Sequence, residues 1–181
     1  MITLEMVVVG AIRVAGSLPV LRWPLAGALI AILVDFSDLF LMNLLDLGGL
    51  GDYQAFDKWF DLVYMVSFLV VALRWVGVER TLAICLFAYR IVGVAVFEVV
   101  QWRSLLLVFP NVFEFWFVFV AGRNRFRPSY ALTVRRTLFW FLILLAAKEG
   151  QEFALHQGKY LDRYRAVDVV VDWWNWVTAL F

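Results

Sequence analysis

Six apolar runs, each near the roughly twenty residues a helix needs to cross about 30 Å of hydrocarbon, follow one another along this chain with short polar breaks between them. They cover about 2–21, 24–47, 53–74, 81–100, 104–122 and 137–156. The breaks are built from chain-turning residues: Arg22-Trp23-Pro24, the glycine cluster Gly48-Gly49-Leu50-Gly51-Asp52, Gly77-Val78-Glu79-Arg80, Gln101-Trp102-Arg103-Ser104, and a long basic stretch from 123 to 136. A soluble domain is about 45–50% apolar, whereas 64% of this chain is hydrophobic. In water such a chain would expose large apolar patches and aggregate. The expected fold is therefore all-α: an integral membrane bundle of about six transmembrane helices, with 1–165 as its single domain.

The remaining segment, 166–181, is too short to span. Asp168, Asp172 and Asn175 recur at i, i+4 and i+7 as one polar stripe on a Val/Trp-rich helix, with Trp173, Trp174 and Trp176 suited to the headgroup level. An interfacial amphipathic helix lying on the membrane is expected there. The first apolar run has no basic segment ahead of it and carries Glu5, which predicts a retained helix rather than a signal peptide.

Basic residues set the orientation. Arg123, Arg125, Arg127, Arg135 and Arg136 mark the 123–136 loop as cytoplasmic; counting back, Arg22, Arg74 and Arg80 fall on the same side. The acidic 48–52 loop and both termini then lie outside, as do Arg103 and the basic tail. The expected location is the inner (plasma) membrane, multi-pass, with the bilayer as the first partner and a second copy or another membrane subunit as a possible one. A net charge of +1 gives no field for nucleic acid, and the one cysteine and one histidine exclude thiolate-rich and histidine-rich metal sites.

The most informative residues are charges inside the runs. Counting at 1.5 Å per residue puts Arg13 roughly 14 Å, and Asp35 and Asp38 roughly 16–21 Å, from the cytoplasmic anchors. Arg90 and Glu114 come out roughly 14–15 Å in, and Asp61, Lys148 and Glu149 roughly 18–20 Å. These depths form one layer near the midplane, where an unpaired charge costs about 2.5–3.5 kcal/mol even on the lenient insertion scale. Five acids (Asp35, Asp38, Asp61, Glu114, Glu149) face three bases (Arg13, Arg90, Lys148). Pairs such as Asp35 with Arg90, or Glu114 with Lys148, would fix which helices are neighbours. Complete pairing would still leave carboxylates for a proton, a cation or a substrate.

A second group lies nearer the outer face: Asp57, Glu98, Glu152 and His156. Glu152 and His156, one helical turn apart, suit a divalent ion together with Asp57 or Glu98, and His156 equally suits a hydrogen-bonded interfacial position near a helix end. Asp57, Asp61 and Tyr64 share one helical face. Pro110-Asn111 interrupts the fifth run beside Glu114, and the proline either breaks the helix there or marks where it starts. Gly10, Gly16, Gly27 and Gly93 suit close helix packing.

Asp35-x-x-Asp38 followed by Asp57-x-x-x-Asp61 resembles the four-aspartate spacing of CDP-alcohol phosphotransferases. That resemblance implies two helices holding divalent metal, with Asp61 as base. The chain departs from the pattern at Leu39 and Tyr53, where that family has glycine, and in lacking the Ala-Arg pair; the family's site is also cytoplasmic. The segments Tyr53-Gln54-Ala55-Phe56-Asp57-Lys58, Phe109-Pro110-Asn111-Val112-Phe113-Glu114 and Lys148-Glu149-Gly150-Gln151-Glu152 together resemble a family of small bacterial polytopic membrane proteins, which implies localisation and architecture but no mechanism.

Three functions fit these residues. The first is a transporter or channel passing a cation, proton or cationic solute through the acidic layer. The second is an accessory subunit of a membrane complex, with Trp102, Trp116, Phe117, Trp140 and the terminal Trp-rich helix as partner surface or, alternatively, lipid-facing surface. The third is a lipid-modifying enzyme with carboxylate-bound metal. No Gly-rich phosphate loop, nucleophile elbow or paired-His motif points to another chemistry, and the balance leans away from an enzyme.

Overall fold

The computed structural model describes residues 4–37, 53–100, 108–153, 171, 174–176 and 178–179, with the backbone alone at 5, 6, 53–61 and 152. The described residues are mostly helical and contain no strand. Helix α1 (Leu4–Ser17) passes through a 3-10 turn (Leu18–Leu21) into α2 (Pro24–Phe36), followed by α3 (Tyr53–Ala72), α4 (Val78–Val100), α5 (Val112–Phe126) and α6 (Val134–Glu152).

Local chemistry sets the ends of these helices. Pro19 ends the α-helical ladder of α1, and its carbonyl accepts from the Arg22 and Trp23 amides at 3.1 and 2.8 Å. Pro24 opens α2 at a position whose amide needs no partner. Gly27 lies directly beneath the backbone of Pro19 and Val20, so that any β-carbon there would collide with main chain. Gly77 takes φ +73° in the turn before α4, a left-handed conformation that costs glycine little. Thr133 caps α6 by accepting from the Arg136 amide.

Helix α5 lies at the centre, touching α2, α3, α4 and α6, while α1 packs on α2 and α3. Its Val112, Phe113, Trp116, Phe117, Val120 and Ala121 are buried. Phe117 stacks on Phe68 of α3, with ring centroids 4.3 Å apart, and on Trp75 at 5.2 Å. Trp116 and Phe117, expected as partner surface, are thus fully buried core residues: aromatic content alone does not say which face of a helix looks out. Trp140 is half-buried against Phe119, and Trp102 lies outside the described residues.

The outside is apolar. Leu33 and Phe36 of α2, Val92 and Val99 of α4, and Leu138 and Phe139 of α6 are each more than half exposed. Among the described residues α4 alone is both long and apolar enough to cross a membrane, with mean hydropathy 2.1 over its most apolar 18 residues. Helices α2 and α5, at 13 and 15 residues, are shorter than the spans expected at 24–47 and 104–122. For the fifth run the reason is Pro110: Val108 is helical, regularity is lost over 109–111, and α5 begins only at Val112 and continues past Gly122 to Phe126. In the tail, Val171, Trp174–Trp176 and Thr178 are helical, and Trp174 and Trp176 are exposed.

Candidate functional site

The break before α5 organises the polar interior. Interrupting a helix leaves backbone carbonyls without their usual amide donors, and burial makes that costly unless side chains replace them. Here α4 supplies the donors: the Tyr89 hydroxyl donates to the Val108 carbonyl, and Arg90 Nη1 donates to the Phe109 carbonyl at 2.9 Å. One turn further along α4, Gly93 lets the Phe109 ring sit directly on the helix backbone.

Beyond the break, Asn111 precedes the first turn of α5 and Glu114 lies within it. Asn111 leaves the helix amides uncapped and turns its side chain on Glu114 instead. Tyr64 of α3 donates its hydroxyl to Glu114 Oε2 at 3.0 Å; Asn111 Nδ2 donates to the same oxygen and to the Tyr64 hydroxyl, each at 3.2 Å. The three side chains are 9% exposed or less. The positive end of the α5 dipole favours a carboxylate at this position. Asn111 Oδ1 is buried without a hydrogen-bond partner, and so is Arg90 Nε. The centre therefore keeps one unused acceptor and, nearby, one unused donor.

The other expected charges gather around it. Arg13 of α1 and Asp35 of α2 form an ion pair at 2.8 Å, their side chains 5% and 28% exposed. Lys148, Asp35 and Arg90 all act electrostatically on Glu114. Lys148 is buried on α6, donating to Gln151 Oε1 at 2.8 Å with its ammonium 5.4 Å from the Phe115 ring centre. Glu149 beside it is half-buried.

Both pairings expected from depth are corrected. Asp35 takes Arg13 rather than Arg90, because α1 and α2 pack directly on each other and Arg90 is engaged at the helix break. Glu114 bonds Tyr64 and Asn111 rather than Lys148, whose ammonium turns to the next turn of its own helix. Asp38 and the side chain of Asp61 lie outside the described residues. Of the expected layer, the described side chains are three acids, Asp35, Glu114 and Glu149, and three bases, Arg13, Arg90 and Lys148. Of the expected outer group, Glu98 is exposed on α4, while His156 and the side chains of Asp57 and Glu152 lie outside the described residues. No cluster of three His, Cys, Asp or Glu residues forms among the described residues.

Tyr64 and Asn111 were not legible as site residues from depth counting, which weighs only charged groups. Their signal was spacing: Asn111 stands three residues before Glu114, and Tyr64 lies three residues beyond Asp61 on α3.

At the opposite level of the bundle the loops are pinned by a different set of polar contacts. Arg74 Nη1 donates to the Leu21 carbonyl at 3.2 Å, Arg123 pairs with Glu79 at 2.6 Å, and Trp116 Nε1 donates to the Glu79 carbonyl at 3.2 Å. The α1–α2, α3–α4 and α5–α6 connections thus share one end. No family model, curated protein or solved structure matches this chain.

Proposed function

We propose that the chain is a multi-pass membrane protein whose Glu114 centre binds and passes a proton, a cation or a small cationic solute. The observation that carries this reading is the combination of a helix break with a buried carboxylate: Glu114 sits in the first turn after 109–111, held by Tyr64 and Asn111, beside an unused acceptor on Asn111. Broken helices in lipid are tolerated where the irregular backbone is buried in protein or lines a pathway, and transporters place their ion and solute sites at such breaks. In the expected layer, Asp38 and Asp61 add the negative charge that a cation requires.

A bilayer explains the distribution of side chains. Arg13, Glu114 and Lys148 are buried, while large aliphatic and aromatic side chains of α2, α4 and α6 are exposed, and α4, the longest helix, is buried over only 17% of its most apolar stretch. On this reading 1–165 forms the bundle of about six spans and 166–181 the interfacial helix. The shared end of the three basic connections supports the orientation with 123–136 cytoplasmic and both termini outside. A second reading, an accessory subunit of a larger membrane complex, draws support from the exposed Trp174 and Trp176.

Reconstituted vesicles carrying a trapped pH-sensitive dye or a rubidium tracer test the transport reading. Glu114→Gln is expected to lower flux at least tenfold while the protein still elutes as a folded species. Unchanged flux in both Glu114→Gln and Tyr64→Phe would refute it.

A further inference from the structure

At the end where the basic connections meet, a groove of about 500 Å³ opens between α2, α5 and α6. That volume lies within the range of about 300–1,000 Å³ typical of small-molecule sites. Its walls are apolar: Leu25 from α2, Val118 and Phe119 from α5, and Trp140 from α6. Gly122 borders it opposite Leu25, whose Cδ1 would stand 3.8 Å from a β-carbon at position 122. The mouth is different in kind. Arg123 and Arg127 line it beside Phe126 and Tyr130, and no carboxylate is among the lining residues.

The cations at the mouth have capacity to spare. Arg123 spends Nη2 on Glu79, yet its Nε is buried without a hydrogen-bond partner, and the side chain is only 10% exposed. Arg127 is exposed, and its guanidinium has no ion pair or hydrogen bond among the described residues. Arg136 adds a third positive charge, stacked over the Tyr130 ring at 4.8 Å. An occupant must be apolar along its length and anionic at one end.

We propose that this groove holds a membrane lipid with an anionic phosphate headgroup, its acyl chain against Phe119 and Trp140 and its phosphate at Arg127 and Arg123. The inference rests on the membrane reading above, which sets the groove's mouth at the cytoplasmic headgroup level. Basic clefts between helices at that level suit anionic headgroups, and an arginine fork matches phosphate geometry. A free phosphate would satisfy the cations but leave the apolar walls uncovered.

The test is native mass spectrometry of the full chain in detergent, offered equimolar phosphatidylglycerol and phosphatidylcholine. The wild type is expected to retain phosphatidylglycerol about fivefold or more over phosphatidylcholine, and Arg127→Gln to cut that preference by about fivefold, the effect of one cation near an anionic surface. Arg125→Gln, outside the groove, should leave it unchanged. Gly122→Phe, or Val118→Trp if the first variant does not fold, should lower retention of both lipids, and millimolar inorganic phosphate should not displace bound lipid. Equal retention of the two lipids by the wild type, or unaltered preference in Arg127→Gln, would overturn the proposal. Protein recovered in the aqueous phase without detergent would overturn the membrane reading itself, and the lipid site with it.

Discussion

Helices α4 and α5 are neighbours with opposite relations to their surroundings. The first has 23 residues, and its most apolar 18-residue stretch has mean hydropathy 2.1 and is only 17% buried. The second has 15 residues, carries Glu114, Arg123 and Arg125, and is enclosed by α2, α3, α4 and α6. In water the hydrophobic effect would exchange these roles, drawing the apolar helix inward and leaving the charged one at the surface. Their actual placement makes sense when the surrounding medium is itself apolar. It then costs nothing to leave Val92 and Val99 uncovered, while Glu114 must be inside.

That contrast can be broken at several points. The largest effect is expected at Phe117 of α5, fully buried and stacked on Phe68 and Trp75: Phe117→Ala should lower unfolding stability in detergent by about 3–5 kcal/mol. A loss under about 1 kcal/mol would mean that α5 is not central. Val92→Arg on the outward face of α4 comes next. In lipid it should cost about 2.5–3.5 kcal/mol, read as a reduced inserted fraction, whereas in water an arginine at a half-exposed helical position is tolerated.

Tyr64→Phe removes a buried donor to Glu114 and is expected to cost about 1–3 kcal/mol. Combined with Glu114→Gln it should be less than additive, since the two residues share one network; full additivity would dissolve that network. The smallest effect belongs to Val92→Ala, within about 0.5 kcal/mol of wild type by the same unfolding assay.

Much of the helix pattern was legible because apolar run length and chain breakers are local properties. Pro110 announced the interruption of the fifth run, and Gly27 and Gly93 the close approaches they permit. Arg13, Asp35, Arg90, Glu114 and Lys148 were identified from depth alone as groups that lipid would not tolerate. Their partners were not, because depth gives a coordinate along the helix but not a rotation about it. Arg13 and Asp35 meet because a tight 3-10 turn brings α1 and α2 back to back, which counting from Arg22 does not reveal. The role of Arg90 depends on carbonyls released by the Pro110 break, so it required the break's geometry and not only its existence. Trp116 and Phe117 show the same limit: an aromatic residue in an apolar run reads alike whether it faces lipid or core.

Cys85 is the only cysteine of the chain and is exposed on α4. A nitroxide label attached there, in protein reconstituted into bilayers, reports which medium that helix meets without any change to the core. Collisions with oxygen, which partitions into hydrocarbon, should exceed those with a water-soluble nickel chelate. Collisions dominated by the nickel chelate would contradict the account.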